Sequence, residues 1–421
     1  MADEKIKLPI RSALIPIFYK NFRCLMGACQ DNCCDDGWKI EFSKKDYLAV
    51  KRAAEQSEEL QALVDQGMRR LRKREHDGMY AEFCITGAGR CAFHTQEGLC
   101  RLQLECGEET LPAVCRTYPR RVGYTPAAKE YSLSPSCEGV LQQLWDLPEG
   151  VEFVEDPLPP SERATADIPP GDNLLIYFEP VRSLLIDVLQ NRALSLTERM
   201  LYLGVVLQRL QAEDWERFDP DAWTKQMAAQ TDLDAIKDMT ASISGNRDMY
   251  LMQNLQVLDA IPKEQAGWPA ELYKAVDVKR KFTAASTADG APERNIQLMT
   301  SFSKKAYEDA LEKFQVAFLD REYFFENLMV AAALHMGFPA LDSKEKLWEG
   351  YVSLCNLYSF YRFVSVLGCK ENQTKERLFH MIVVASRATL HDSARFNSFQ
   401  EELFQHDSST LAHMAILLRW D

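Results

Sequence analysis

Apolar residues recur at three- and four-residue steps through most of the second half of the chain, the spacing of helices that bury one stripe. "LIYFEPVRSLLIDVLQNR" and "SLTERMLYLGVVLQRLQAE" read this way, and Ser195 followed by Glu198 forms a capping box for the second. "ELYKAVDVKRKF", "ENLMVAAALHMGF", "KLWEGYVSLCNLYSFYRFVSVLG" and "TKERLFHMIVVASRATLHD" continue the series. A loop or subdomain boundary is expected near 283–294, where "STADGAPERN" breaks the pattern. No long-period repeat supports a solenoid.

The front of the chain is mixed. "WKIEF" (38–42) alternates as a half-buried strand does. Ser43 with Asp46 gives a capping signal, and the apolar spacing that follows suits one or two helices. "EFCITGAGRCAF" (82–93) reads as a hairpin turning at "TGAG", and "EETLPAVCRTY" (108–118) as a helix starting near Pro112 and stopped by Pro119. Between front and back, "DLPEGVEFVEDPLPPSERATADIPPGDN" is rich in proline and acid, as a linker or extended surface crossing would be. The expected fold is α+β and mostly α: a small mixed cysteine-rich domain (1–145), a linker (146–172) and a helical domain (173–421).

Composition narrows the function. The 421 residues are 46% hydrophobic and 10% aromatic, enough for ordinary cores, and carry a net charge of −13. That charge argues against nucleic acid or an anionic membrane as the main partner. The basic run "RRLRKR" (69–74) is expected at the end of a helix, where cations suit the helix dipole. No secretory leader is evident at the start and no stretch is long enough to span a bilayer, so a cytoplasmic location is expected.

Ten of the 12 cysteines fall between Cys24 and Cys137; Cys355 and Cys369 stand in apolar helical sequence and read as buried small residues. In a reducing compartment such a concentration points to a metal site or reactive thiols rather than disulfides. The spacings are Cys24-x4-Cys29-x3-Cys33-Cys34, then Cys84, Cys91, Cys100, Cys106, Cys115 and Cys137. No Cys-x2-Cys knuckle is present, which disfavours zinc ribbons, and no ferredoxin spacing matches. A site here has to be assembled from distant segments. Adjacent Cys33 and Cys34 diverge on extended backbone, so they do not readily serve one metal together. An iron–sulfur cluster is the leading reading, a structural zinc site the second, and free buried thiols the third.

The blocks "FRCLMGACQDNCCDDGWKIEF", "CAFHTQEGLCRLQLECGEETLPAVCRTYPR" and "SLSPSC" resemble the signature of the flagellin lysine-N-methylase family. That family shares its cysteine region with a broader group read as iron or zinc chelators. "LLIDVLQNRALSLTERMLYLG", "ENLMVAAALHMGFP" and "SRATLH" resemble its helical C-terminal blocks, so the likeness runs nearly full length. The resemblance implies a protein-lysine methyltransferase that uses S-adenosylmethionine and a [4Fe–4S] cluster, with flagellin as partner and substrate. It also implies the metal-binding residues: Cys24, Cys29, Cys33, Cys34, Cys91, Cys100, Cys115 and Cys137. Cys84 and Cys106 are bystanders.

Lysine methylation needs a neutral amine, although free lysine has a pKa of about 10.4. Burial of the lysine or a neighbouring base must therefore act on it. Candidates beside the cysteine blocks are Tyr118, Glu108 with Glu109, and Asp36 with Asp35. Trp38 and Tyr118 can grip an ammonium by cation–π contact, and on the cofactor side Trp38 and Arg120 are candidates, Arg120 through the cofactor carboxylate. Glycine-rich loops of the usual dinucleotide type are missing; "GAG" (87–89) is a turn. His94 sits among the cysteines, at an expected exposed hairpin position. Arg192, Glu198 and Arg199 are expected to form helix-surface or interhelical ion pairs. The competing function is a non-enzymatic iron- or zinc-binding module whose helical domain docks a partner.

Overall fold

The computed structural model describes residues 5–34, 38–71, 78–87, 89–169, 173–261, 268–286, 292–300, 304–391 and 393–419. Its front contains β1 (Ile6–Ile10), β2 (Ser12–Pro16), α1 (Ile17–Asn21), β3 (Glu41–Ser43), α2 (Lys44–Ala54), α3 (Glu58–Gly67), β4 (Met68–Arg70) and β5 (Met79–Phe83). Then follow α4 (Arg101–Cys106), α5 (Ala113–Thr117), β6 (Arg120–Tyr124), β7 (Ala128–Leu133), α6 (Glu138–Trp145), β8 (Phe153–Pro157) and β9 (Ala164–Ile168). The back is helical: α7 (Phe178–Leu189), α8 (Leu196–Ala212), α9 (Pro220–Gln230), α10 (Leu233–Ser242), α11 (Arg247–Ala260) and α12 (Trp268–Ala275). A hairpin, β10 (Val278–Ser286) and β11 (Pro292–Thr300), interrupts it. α13 (Lys304–Ala317), α14 (Glu322–Met336), α15 (Lys344–Gly368), α16 (Lys375–Ser386), a π-helical turn (Arg387–His391), α17 (Ser393–Gln405) and α18 (Leu411–Leu418) complete the chain. The fold is α+β and mostly α. Among the described residues no helix is long and apolar enough to cross a membrane.

Local chemistry sets the helix starts. The Ser43 hydroxyl accepts from Asp46 N–H, and Ser195 and Glu198 close a full capping box, satisfying amides that the first turn leaves without partners. Several expectations shift. The strand at 38–42 begins only at Glu41. The loop expected near 283–294 is largely the β10–β11 hairpin. Arg69 and Arg70 lie on β4 rather than at a helix end, because the chain turns to pair with β5; Arg69 meets Glu82 at 2.5 Å and Arg70 lies over the Tyr47 and Tyr80 rings. Arg72 to Arg74 fall outside the described residues.

The proline-rich 146–172 segment is folded into the front. β8 pairs antiparallel with β2, from Ser12 opposite Pro157 to Pro16 opposite Phe153, and β9 pairs with β1. The larger sheet has the order β6-β7-β2-β8, with β2 and β7 parallel; β3, β5 and β4 form another. Proline suits such outer strands, where a missing N–H costs little.

Two cores result. A small one joins Phe42, Val50, Leu60, Val64, Phe83, Phe93 and Leu102, with Cys91, Cys100, Cys106 and Cys115 packed against it. The large one holds the helical back together with Phe18, Phe22, Val140, Leu141 and Leu144 of the front, and Cys137 packs on it. At its centre runs α15, on which every residue from Tyr351 to Gly368 is buried, as an all-round apolar helix requires. α8 lies close against it: a Cβ at Gly204 would collide with Tyr351 Oη.

Candidate functional site

The first cysteine loop, residues 24–34, is stapled between the two cores. Asn32 Nδ2 donates to Gly98 O at 2.8 Å, and Cys91 N–H donates to Cys34 O at 2.8 Å. Gly27 allows the contact with the 95–99 turn, since a Cβ there would run into Glu97 O. From the other side, the Glu138 carboxylate at the start of α6 accepts from Gln30 N–H (2.7 Å) and Asp31 N–H (3.1 Å). Three segments distant in sequence therefore meet at this loop.

The thiols sort electrostatically around Cys33. Cys24, Cys29 and Cys137 act on one another on one side; Cys91, Cys100 and Cys115 do so on the other; Cys33 is felt by both groups. Burial first, then Cys137 and Glu138, push Cys29 up to about 12. Burial also pushes Cys91 up to about 11 and Cys137 up to about 12, although the amides of Val140 and Gly139 at the α6 N-terminus pull Cys137 the other way. Cys34 is raised by its hydrogen bond to Cys33 and by burial. Thiols this raised hold their protons until a cation compensates them. All twelve cysteines are unpaired, and Cys355 and Cys369 are buried. Cys106 has ordinary partners of its own, Gln56 Nε2 at 3.2 Å and Ala53 O. Among the described residues no three Cys, His, Asp or Glu side chains close around a position for a single metal ion.

Beside the thiols, two of the candidate aromatics meet. α5 ends at Tyr118 because Pro119 cannot continue it. Tyr118 Oη donates to Ser136 O at 2.9 Å and lies 3.0 Å from Ser136 Oγ. The Trp38 ring stands edge-on to Tyr118 at 5.3 Å. The opposite wall comes from the π-helical turn: His391 packs on Trp38 at 4.7 Å and its Nε2 is 2.6 Å from Ser136 Oγ, while the Arg387 guanidinium covers Trp38 at 5.2 Å. Arg387 Nη2 also donates to Asp31 O at 3.0 Å, and His380 Nδ1 meets Asp31 Oδ1 at 2.7 Å. Enclosure and the Arg387 charge push His391 down to about 4, although an edge of its ring reaches solvent. Burial, with Cys137 next, holds the Tyr118 hydroxyl well above the usual phenol range.

The remaining candidates lie elsewhere. Glu108 and Glu109 occupy a separate 3₁₀ turn ahead of α5, not the first turn of that helix, because Pro112 restarts it. Arg120 opens β6 and lies over the Phe22 ring at 5.1 Å. Asp35 and Asp36 fall outside the described residues. His94 is half-buried rather than exposed, bridged through its backbone to Cys100. Arg192 and Arg199 converge on the buried Glu326 of α14, at 2.9 and 2.5 Å, so they tie helices together. His391, Ser136, Arg387 and Asp31 are functional candidates that spacing could not find, since they come together across more than 250 residues.

A model of the FliB lysine N-methylase C-terminal domain matches residues 182–417. "Lysine-N-methylase" of Salmonella choleraesuis is 29% identical over 191 residues, 44% of this chain and 44% of that protein; its Salmonella typhimurium counterpart is 28% identical over the same shares. The "Flagellar biosynthetic protein FliU" of Salmonella muenchen is 29% identical over 144 residues, 33% of this chain and 80% of that protein. The chain thus matches less than half the length of the two methylases, and no solved structure is significantly similar to it. With the family match spanning more than half of its residues, the chain belongs to the FliB lysine N-methylase family.

Proposed function

We propose that the protein is a cytoplasmic, S-adenosylmethionine-dependent protein-lysine N-methyltransferase acting on flagellin, with a [4Fe–4S] cluster held by its front thiols. The observation that carries this reading is the meeting of Trp38, Tyr118 and His391 beside the thiol group, in a chain of this family.

The faces of Trp38 and Tyr118 suit a lysine ammonium and its methylated forms. His391, neutral at physiological pH, adds no charge to repel it, and through Ser136 it fixes the Tyr118 hydroxyl. Enclosure among these rings disfavours the charged ammonium, so the lysine releases its proton to water on entry. The neutral amine then attacks the sulfonium methyl carbon. A C–N bond forms, the C–S bond breaks, and its electron pair stays on sulfur, which leaves as a neutral thioether.

The donor set fits a soft, thiolate-held group. Residues to hold it are drawn from Cys24, Cys29, Cys33, Cys34, Cys91, Cys100, Cys115 and Cys137. A multi-iron core fills the space between its ligands, so thiols gathered around Cys33 without closing on one point suit it better than a single zinc ion. Bound there, the cluster supplies iron–thiolate bonds that cross-link separate segments of the front. A reducing cytoplasm keeps such thiols unpaired.

Anaerobically purified protein is to be incubated with S-adenosylmethionine and flagellin, and intact flagellin followed by mass spectrometry. Gains in methyl-sized steps that map to lysines support the proposal; flagellin of unchanged mass overturns it.

A further inference from the structure

A polar cavity of about 560 Å³ opens between the first cysteine loop and the start of α16. Gln30 and Asp31 line one side; Thr374, Glu376, Arg377 and His380 line the other. A second cavity of about 430 Å³ adjoins it, sharing Asn372 and Arg377, and is walled in part by Ala275, Leu367 and Gly368. No thiol lines either one.

We propose that the first cavity binds the α-amino-acid end of the methyl donor, a zwitterion carrying one ammonium and one carboxylate. This rests on the methyltransferase reading above and adds a place for the donor. The lining carries both signs in a small space: Asp31 and Glu376 to accept from an ammonium, Arg377 and His380 to donate to a carboxylate. Neutral donors and acceptors from Gln30 and Thr374 stand between them. An anion alone would meet two carboxylates here, and a cation alone would meet the arginine.

The walls are fixed before any ligand arrives. Asp31 is held by His380 through its side chain and by Arg387 and Glu138 through its backbone. Arg377 is anchored by its Nε, which donates to Gly368 O at 2.8 Å, and by its N–H, which donates to Thr374 Oγ1. Position supports the assignment as well. Asp31 touches Arg387, and Arg387 covers Trp38, so a single layer of side chains separates this cavity from the aromatic box. The adjoining, more apolar cavity is of a size to take an uncharged nucleoside on the same ligand.

Isothermal titration of full-length, anaerobically prepared protein tests this, with S-adenosylhomocysteine and methionine as separate probes. Glu376 is exposed, so Glu376→Lys leaves the fold intact; Arg377→Gln is the second variant, with circular dichroism checking both. Each substitution is expected to weaken S-adenosylhomocysteine binding about tenfold or more, as loss of a charged partner does. Unchanged affinity in both variants overturns the assignment, and if the wild type still methylates flagellin it leaves the methyltransferase reading standing. Methionine binding as tightly as S-adenosylhomocysteine assigns the cavity to a free amino acid and overturns the donor placement. A wild type that neither binds S-adenosylhomocysteine nor transfers methyl removes both proposals together.

Discussion

His391 and Ser136 lie 255 positions apart and meet through a 2.6 Å contact between Nε2 and Oγ. That contact links the helical back to the end of β7 and, through Ser136, to the Tyr118 hydroxyl. His391 is a positioning residue in this arrangement. His391→Ala is expected to lower kcat for flagellin methylation by about 10²-fold, within the range for misplaced catalytic groups. His391→Gln, which keeps a polar end toward Ser136, should recover part of the loss. Equal kcat in wild type and the alanine variant would remove the role.

Trp38 is flanked by Tyr118, His391 and Arg387. Trp38→Ala should raise KM for a lysine substrate about tenfold, the scale of a partly desolvated cation–π contact. Trp38→Phe should retain most of the binding. Steady-state kinetics on a flagellin fragment separates the two.

Cys33 is felt by thiols on both sides, whereas Cys106 is partnered by Gln56 and Ala53. After anaerobic reconstitution with iron and sulfide, Cys33→Ser is expected to lose most of the visible absorption at about 400 nm, and Cys106→Ser to keep it. Loss in both variants alike would count against the assignment of Cys106 as a bystander.

Glu326 is 1% exposed and faces two arginines. Removing its charge leaves the buried Arg199 uncompensated, so Glu326→Gln should cost about 3–5 kcal/mol in urea unfolding. A shift within experimental error would show that the pair is solvated.

His335 on α14 is pushed down to about 4 by burial, then by Arg121 and His391. Its unfolded value lies near 6.5, so the unfolded chain takes up the proton first as pH falls. The stability present above about pH 6.5 is therefore lost progressively down to about 4, by up to about 3 kcal/mol. Thermal melts of His335→Gln across that range should show a smaller decline than wild type.

Some of this was legible in the sequence because its causes are local. Capping at Ser43 and Ser195 involves residues three apart, and the helical series follows from apolar spacing. Trp38 and Tyr118 were singled out for their chemistry beside cysteine blocks, and they do meet. What escaped was non-local. The 146–172 segment looked unstructured because its partners, β1 and β2, sit at the other end of the front. The Asp31–His380 and Ser136–His391 contacts join stretches hundreds of residues apart, and no periodicity encodes them. Asp35 and Asp36, also candidates, fall outside the described residues.

The division into a small and a large core has a consequence for how the molecule fails under heat. The lesser apolar cluster has far fewer residues to hold it, so it should melt as an earlier calorimetric event while the helical body persists. Cys91, Cys100 and Cys115 would then meet dissolved oxidants before Cys137 does, and chemical damage would begin on one flank of the thiol group alone.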